Sequence, residues 1–170
     1  MIYSLILAFF VYQTEQTMKL NAKSVLFSAA ILVLTACKTY SDEDKKTLDT
    51  KIETYLKKDK TAYKKSESGL YYHIEKEGEG EYIKFTDEIK INYQGRLLNG
   101  QIFDGEHKKN PISFKVADLI EGWKEGMLYL KKGGKAKLII PPYLGYGDYD
   151  LEKIPPNSVL VFEVEVVDVM

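Results

Sequence analysis

Six side chains could do chemistry as a set. Trp123 is the only tryptophan, and Tyr93, Phe103 and Phe162 lie on separate alternating segments, so a curled sheet could gather their rings. Asp104 follows Phe103 directly, and Tyr146 precedes Gly147. Each alone has a plainer reading: core packing for the aromatics, a turn or ion pair for Asp104, a surface position for Tyr146. His73 and His107 are too isolated to suggest a metal site and read as solvated. The single cysteine, Cys37, excludes an intrachain disulfide framework and a zinc site of several thiolates. No catalytic triad or metal cluster is in view, and no metal or cofactor is expected.

Composition narrows the partners. The 170 residues carry 24 Lys+Arg against 25 Asp+Glu, a net charge of −1, with 45% hydrophobic and 29% charged residues. That is ordinary globular material with no room for two large domains. Without a basic block the chain lacks the means to neutralise a run of phosphates, so no nucleic acid is expected.

The charge is unevenly spread. Residues 1–36 hold only Glu15, Lys19 and Lys23. From Met18, a basic start is followed by the apolar run Val25 to Leu34, of signal-peptide length and short for a membrane span. The run ends in Leu34-Thr35-Ala36-Cys37, which resembles the lipobox of bacterial lipoproteins, where the cysteine is lipidated and becomes the new N-terminus. Residues 1–36 are therefore expected to be an export signal, with translation starting at Met18 and cleavage before Cys37. The alternative for the earlier run, Ile2 to Val11, is an upstream transmembrane segment. Lipid on Cys37 would anchor the rest of the chain in the cell envelope. Lys38 is compatible with the outer membrane, and Asp42-Glu43-Asp44 suggests surface export, as in some Bacteroidetes lipoproteins.

All 12 glycines fall at or after Gly69 and all five prolines at or after Pro111, so a fold built on tight turns is expected over 69–170, preceded by a spacer over 37–68. In the spacer, Leu48, Ile52, Tyr55 and Leu56 form one helical stripe, Ser41 can cap it, and Lys57 and Lys58 suit its end. It reads as a solvated helix docked loosely on its own domain or, more sharply, as a dimerisation or partner-binding helix. Beyond residue 69 the period becomes two. Leu70 to Ile74, Ile89 to Leu98, Ala136 to Ile140 and Leu160 to Val166 read as strands, with Asn99-Gly100 a type I′ turn. Lys131-Lys132 reads as a hairpin turn, and Glu163 and Glu165 as an outward sheet face. One helix is expected in this half, capped by Asp118 with Glu121 completing a capping box. Gly122 and Gly126 would each cost it about 1 kcal/mol relative to Ala, a sign of close backbone approach. The expected class is α+β: an antiparallel sheet with a short helix against its concave face.

The order and spacing of several motifs resemble the FKBP-type peptidyl-prolyl cis-trans isomerases. They are Ile91-Asn92-Tyr93-Gln94-Gly95-Arg96-Leu97, Asn99-Gly100-Gln101-Ile102-Phe103-Asp104, Leu119-Ile120-Glu121-Gly122-Trp123 continuing to Met127, Gly133-Gly134 to Pro141, Tyr146-Gly147, and Ile154-Pro155-Pro156 to Phe162. The resemblance covers residues 69–170. It implies a five- to six-stranded sheet curled around a short helix, with a proline pocket between them. Trp123 would be the floor, Tyr93, Phe103 and Phe162 the walls, and Leu119, Ile120 and Ile154 aliphatic contacts. Asp104 and Tyr146 would stand at the rim, with the Ile120 N–H and the Tyr146 hydroxyl donating to substrate carbonyls. Asp104, Tyr146 and Phe103 are the residues expected to act on the bond. Proline-containing polypeptides are the implied substrates, and an FK506-like macrolide the implied small-molecule ligand.

The implied chemistry needs neither nucleophile nor metal. Twisting an X–Pro amide meets a barrier of roughly 18–20 kcal/mol from lost resonance, and no bond is broken. A dry pocket favours the twisted amide, and each 1.36 kcal/mol of preference is about tenfold in rate. The sequence departs from well-known members in three places. The loop after Asp104 is a residue shorter and offers Lys108 or Lys109 where an arginine steadies the aspartate. Ile112 stands where a phenylalanine is common, and 148–153 is short and acidic. The competing expectations are a non-catalytic chaperone or binding module on the same fold, and an assembly component acting through the helix around residues 41–60.

Overall fold

The computed structural model describes residues 39–59, 61–105 and 110–170, and the fold is that of Tyr40–Met170. The segment expected to be an export signal, with Cys37 and His107, lies outside the described residues. In chain order the elements are α1 (Asp42–Leu56), β1 (Lys64–Lys65), β2 (Tyr71–Lys76), β3 (Glu79–Tyr82), β4 (Glu88–Leu97), β5 (Ile102–Asp104), β6 (Ile112–Lys115), α2 (Glu121–Leu128), β7 (Lys131–Lys132), β8 (Lys135–Ile140) and β9 (Leu160–Val169). Short 3₁₀ turns at Val116–Asp118 and Pro142–Leu144 precede α2 and follow β8.

The main sheet is antiparallel, in the order β1-β2-β8-β9-β4-β5, with β6 also on β4. It thus has seven strands among the described residues, against the five or six expected, because two-residue β1 and three-residue β5 both pair. β4 passes its outer edge from β6, which faces Glu88 to Ile91, to β5, which faces Gly95 and Arg96. One long strand with two successive partners curls the sheet and leaves a concave face.

Alternation sorts the side chains. Leu138, Ile140, Leu160, Phe162, Val164 and Val166 join the inner core with Trp123 and Met127 of α2, while Ile139 and Val161 point to the opposite face. The glycine pair in α2 has the predicted reason. A Cβ on Gly122 would stand 2.6 Å from Ile140 Cγ2, and one on Gly126 2.7 Å from Leu138 Cδ1, so the β8 side chains pack directly on the helix backbone.

Three local expectations are corrected. Asp118 does not cap α2; it sits in the preceding 3₁₀ turn, and the N-cap is Ile120 with no side-chain cap bond. The Asn99-Gly100 turn is not type I′, which needs two residues at positive φ. Only Gly100 is positive (φ 89°), the Gly100 N–H donates to Leu97 O, and Asn99 Oδ1 accepts from the Gln101 N–H. That is a longer loop with glycine at its left-handed position. Lys131-Lys132 is a strand pairing with β3 rather than a turn, and its lysines reach Glu77 and Asp168.

The stripe of α1 lies on the convex face of its own sheet. Ser41 and Asp44 form a reciprocal capping box, and Ile52 is fully buried in a cluster with Tyr71, Ile139, Val159 and Val161. Burying one such side chain contributes about 1.5–3 kcal/mol. Asp49 accepts from the Tyr71 hydroxyl at 3.1 Å and pairs with Lys65 at 2.6 Å. Glu163 and Glu165 face outward as expected, paired with Arg96 and Lys135.

Candidate active site

Between the concave face and α2 lies a cavity of about 250 Å³, lined by Tyr93, Phe103, Asp104, Phe114, Asp118, Leu119, Ile120, Trp123, Tyr146 and Phe162. The lining is drawn from separate elements of the fold. Tyr93 comes from β4, Phe103 and Asp104 from β5, Phe114 from β6, Phe162 from β9 and Trp123 from α2. Leu119 and Ile120 come from the turn into α2, and Tyr146 from the loop after β8.

Trp123 is the hub. Its ring centre is 5.2 Å from that of Tyr93 and 5.0 Å from that of Phe162, at interplanar angles of 90° and 87°. Phe103 meets Phe162 edge-on at 5.5 Å and 89°. Edge-to-face contacts of this kind fix ring orientation as well as burying area. Gly95 makes room for them: a Cβ there would stand 2.6 Å from Phe103 Cε2 and 2.7 Å from Phe162 Cε1.

The polar groups are sparse and directed. The Tyr93 hydroxyl donates to Asp104 Oδ2 at 2.7 Å, and the Gly105 N–H donates to Asp104 Oδ1 at 2.7 Å. Tyr93 and Gly105 thus hold the aspartate; Lys108 and Lys109 lie outside the described residues. Burial first, then the bond to Asp104, pushes the Tyr93 phenol well above its ordinary range. Burial and the Asp104 charge likewise raise Tyr146, so its hydroxyl stays a donor at neutral pH. No hydrogen bond among the described residues engages the Tyr146 hydroxyl, the Ile120 N–H or the buried Trp123 Nε1–H. Among the described residues no three His, Cys, Asp or Glu side chains come together as a metal site. A second cavity, on the outer face of β8 and β9, is lined largely by Glu75, Asn92, Lys135, Glu163 and Glu165 and has no comparable aromatic wall.

Asp104, Tyr146, Phe103, Tyr93, Leu119, Ile120, Trp123 and Phe162 therefore share one cavity. Ile154 does not line it; it is buried in the adjoining core and bridged to Leu151. Ile112 is exposed on β6, outside the lining. Phe114 and Asp118 were missed. The signal for Phe114 was its position two residues beyond Ile112, hence on the same face of a strand. Asp118 had been assigned to a helix cap.

A small antiparallel sheet closed over one helix, with an aromatic pocket between them, defines the class of fold. A sequence model of the FKBP-type peptidyl-prolyl cis-trans isomerases matches residues 79–167, and the chain belongs to that family. It is 49% identical over 108 residues to the FKBP-type isomerase FkpA of Buchnera aphidicola from Acyrthosiphon pisum, covering 63% of this chain and 45% of that protein. It is 47% identical over 107 residues to FkpA of Escherichia coli K12, covering 62% and 40%. This chain thus matches less than half the length of either relative. The crystal structure of Escherichia coli FkpA superimposes with a TM-score of 0.62 at 31% identity, over 99% of this chain and 94% of that one. A peptidyl-prolyl isomerase from Pseudomonas syringae gives a TM-score of 0.64 at 26% identity, over 79% and 98%.

Proposed function

We propose that the chain is a peptidyl-prolyl cis-trans isomerase that turns X–Pro bonds in exported polypeptides. The observation that carries the reading is the Trp123-centred aromatic cavity, with the unengaged Tyr146 hydroxyl at its rim. The proline ring enters the box over Trp123, between Tyr93, Phe103 and Phe162. Water is excluded there, and the twisted amide, whose carbonyl is less polarised than the planar one, is less penalised by the dry surroundings. The Ile120 N–H and the Tyr146 O–H donate to flanking carbonyls and hold the chain on either side while the bond rotates. Asp104, fixed by Tyr93 and Gly105, sets the charge at the rim. No proton or covalent bond is exchanged. An FK506-like macrolide suits the same apolar pocket.

The proposed location rests on the sequence before the fold. Lipidation of Cys37 would tether the protein to the cell envelope, in the outer membrane, and the acidic run from Asp42 would favour display at the surface. Tyr40 lies three residue steps from Cys37, a span of at most about 11 Å, so the domain would work close to the lipid. An intact-mass measurement on membrane-extracted protein tests this: a chain unmodified at Cys37 and retaining residues before it overturns the anchor.

The activity is tested by NMR exchange of an Xaa-Pro peptide with the purified protein. Accelerated cis-trans exchange that falls at least about tenfold in folded Tyr146→Ala, about 1.4 kcal/mol of transition-state stabilisation, supports the isomerase and its site together. No acceleration by the folded wild type turns the pocket into a binding surface.

A further inference from the structure

We infer that Tyr40, outside the family-matched region, is a positioning residue for the candidate site: it braces both ends of the loop that carries Tyr146. The catalytic consequence rests on the isomerase reading above; the brace itself does not.

Residues 141–159 join β8 to β9, longer than the 12–15 or so residues that ordinary connections seldom exceed. Its shape is set by a few backbone bonds. The Gly147 N–H donates to Pro142 O at 2.8 Å, and the Asn157 N–H donates to Gly147 O at 2.8 Å. Tyr146 and Gly147 are therefore suspended between the first turn of the loop and its last. The last turn is the strained one, because Asn157 sits at φ 59°, the only non-glycine residue at positive φ among the described residues. Asparagine tolerates that region better than most residues, yet such a conformation persists only where its surroundings hold it.

Tyr40 supplies a hold at each end. Its hydroxyl donates to Asn157 Oδ1 at 2.7 Å. Its ring lies 5.6 Å from that of Tyr143, on the 3₁₀ turn Pro142–Leu144 where the loop begins. Lys45 of α1 adds a second contact, with Nζ 5.6 Å from the centre of the Tyr143 ring. Partial burial, with the nearby Asp148 and Asp44 carboxylates, raises the Tyr40 phenol, which keeps it a donor. Tyr40 does not line the cavity, so any effect on substrate passes through the loop. The capping box that starts α1 immediately after Tyr40 fixes where the tyrosine emerges.

The test compares Tyr40→Phe, which keeps the ring and removes the donor, with Asn157→Gly, which keeps the positive φ and removes the acceptor. Amide hydrogen exchange at Gly147 and Asn157 is measured in the full chain alongside kcat and KM for an Xaa-Pro peptide. Loss of one such hydrogen bond should lower kcat/KM about three- to tenfold. The loss should appear mainly in KM, since a smaller fraction of molecules holds the loop ready for substrate. Exchange at the two amides should quicken by a similar factor while β4 and β9 are unchanged. The double variant should be no worse than either single one, because both remove the same bond. Unchanged exchange at Gly147 and Asn157 overturns the brace, and faster exchange with unaltered kinetics overturns the positioning role of Tyr40. A uniform rise across the sheet, with kcat falling at constant KM, also overturns it by showing general loss of folded protein. A wild type inactive on the peptide sinks the isomerase reading alone, and the two exchange rates then decide the brace.

Discussion

The two faces of one sheet are finished in opposite ways. On the convex face, Tyr71, Ile139, Val159 and Val161 are covered by α1, and the Tyr71 hydroxyl has Asp49 as its partner. On the concave face α2 covers most of the core but leaves the Trp123 cavity, where the Tyr146 hydroxyl, the Ile120 N–H and the Trp123 Nε1–H are all without a partner among the described residues. The Trp123 Nε1–H is buried as well as unpaired, which costs stability, so the cavity floor carries a liability that the cluster under α1 does not. The contrast teaches that the α1 stripe, with Ile52 at its centre, covers its own sheet, while α2 leaves an open cavity around Trp123.

The largest expected effect breaks the convex side. Ile52→Ala removes a fully buried side chain from the α1 contact and should lower unfolding free energy by about 2–4 kcal/mol. The kcat/KM of the remaining folded protein should stay within about twofold of wild type. Urea unfolding, with activity normalised to the folded fraction, measures both. A large change in kcat/KM without loss of stability would mean that α1 belongs to the site rather than to its support. Trp123→Leu is the opposite experiment. It should reduce kcat/KM at least tenfold, about 1.4 kcal/mol in transition-state terms, by removing the hub of the edge-to-face contacts. Some stability should go with it, since Trp123 is 4% exposed. Unaltered turnover by a folded Trp123→Leu protein would remove the cavity as the seat of activity.

Sequence patterning reached the two faces unequally. Period-two alternation separated Leu160, Phe162, Val164 and Val166 from Val161, Glu163 and Glu165, because that alternation is a geometric property of any strand. The stripe on α1 was equally plain, but its partner was not. A 3.6-residue period says that a face is buried and nothing about against what; the structure supplies a partner by putting Ile52 on Ile139 and Val161. Within the site, residues carried by separate motifs were found, whereas Phe114 and Asp118 depend on how β6 and the following turn enter α2. That is a tertiary matter, as is the exclusion of Ile154 by the loop's own bridge to Leu151. The cap at Asp118 failed for a local reason: Ser/Thr/Asp/Asn preference competes with a 3₁₀ turn that draws the same residue in.

The smallest expected effect sharpens the contrast by pH. Tyr146 and Tyr93 both titrate above the ordinary tyrosine value of about 10, each chiefly through burial. A phenol with a raised pKa keeps its proton, so the Tyr146 donor persists through the neutral and mildly alkaline range. We therefore expect kcat/KM to be flat from about pH 7 to 9.5, with no bell-shaped profile. Tyr71 on the convex face is raised in the same direction, by burial and then by Asp49. For a group raised in the folded state the stabilising contribution is complete below the unfolded pKa, near 10, and is lost as pH climbs through the folded value. Alkali should thus erode stability from about pH 10 upward while the pocket of each folded molecule still works. Parallel pH series of thermal unfolding and peptide exchange read global stability and the working of the pocket separately. A fall in kcat/KM centred between pH 6 and 9 in fully folded protein would point to a titrating group in the reaction and against a pocket that works by fixed donors and a dry aromatic wall.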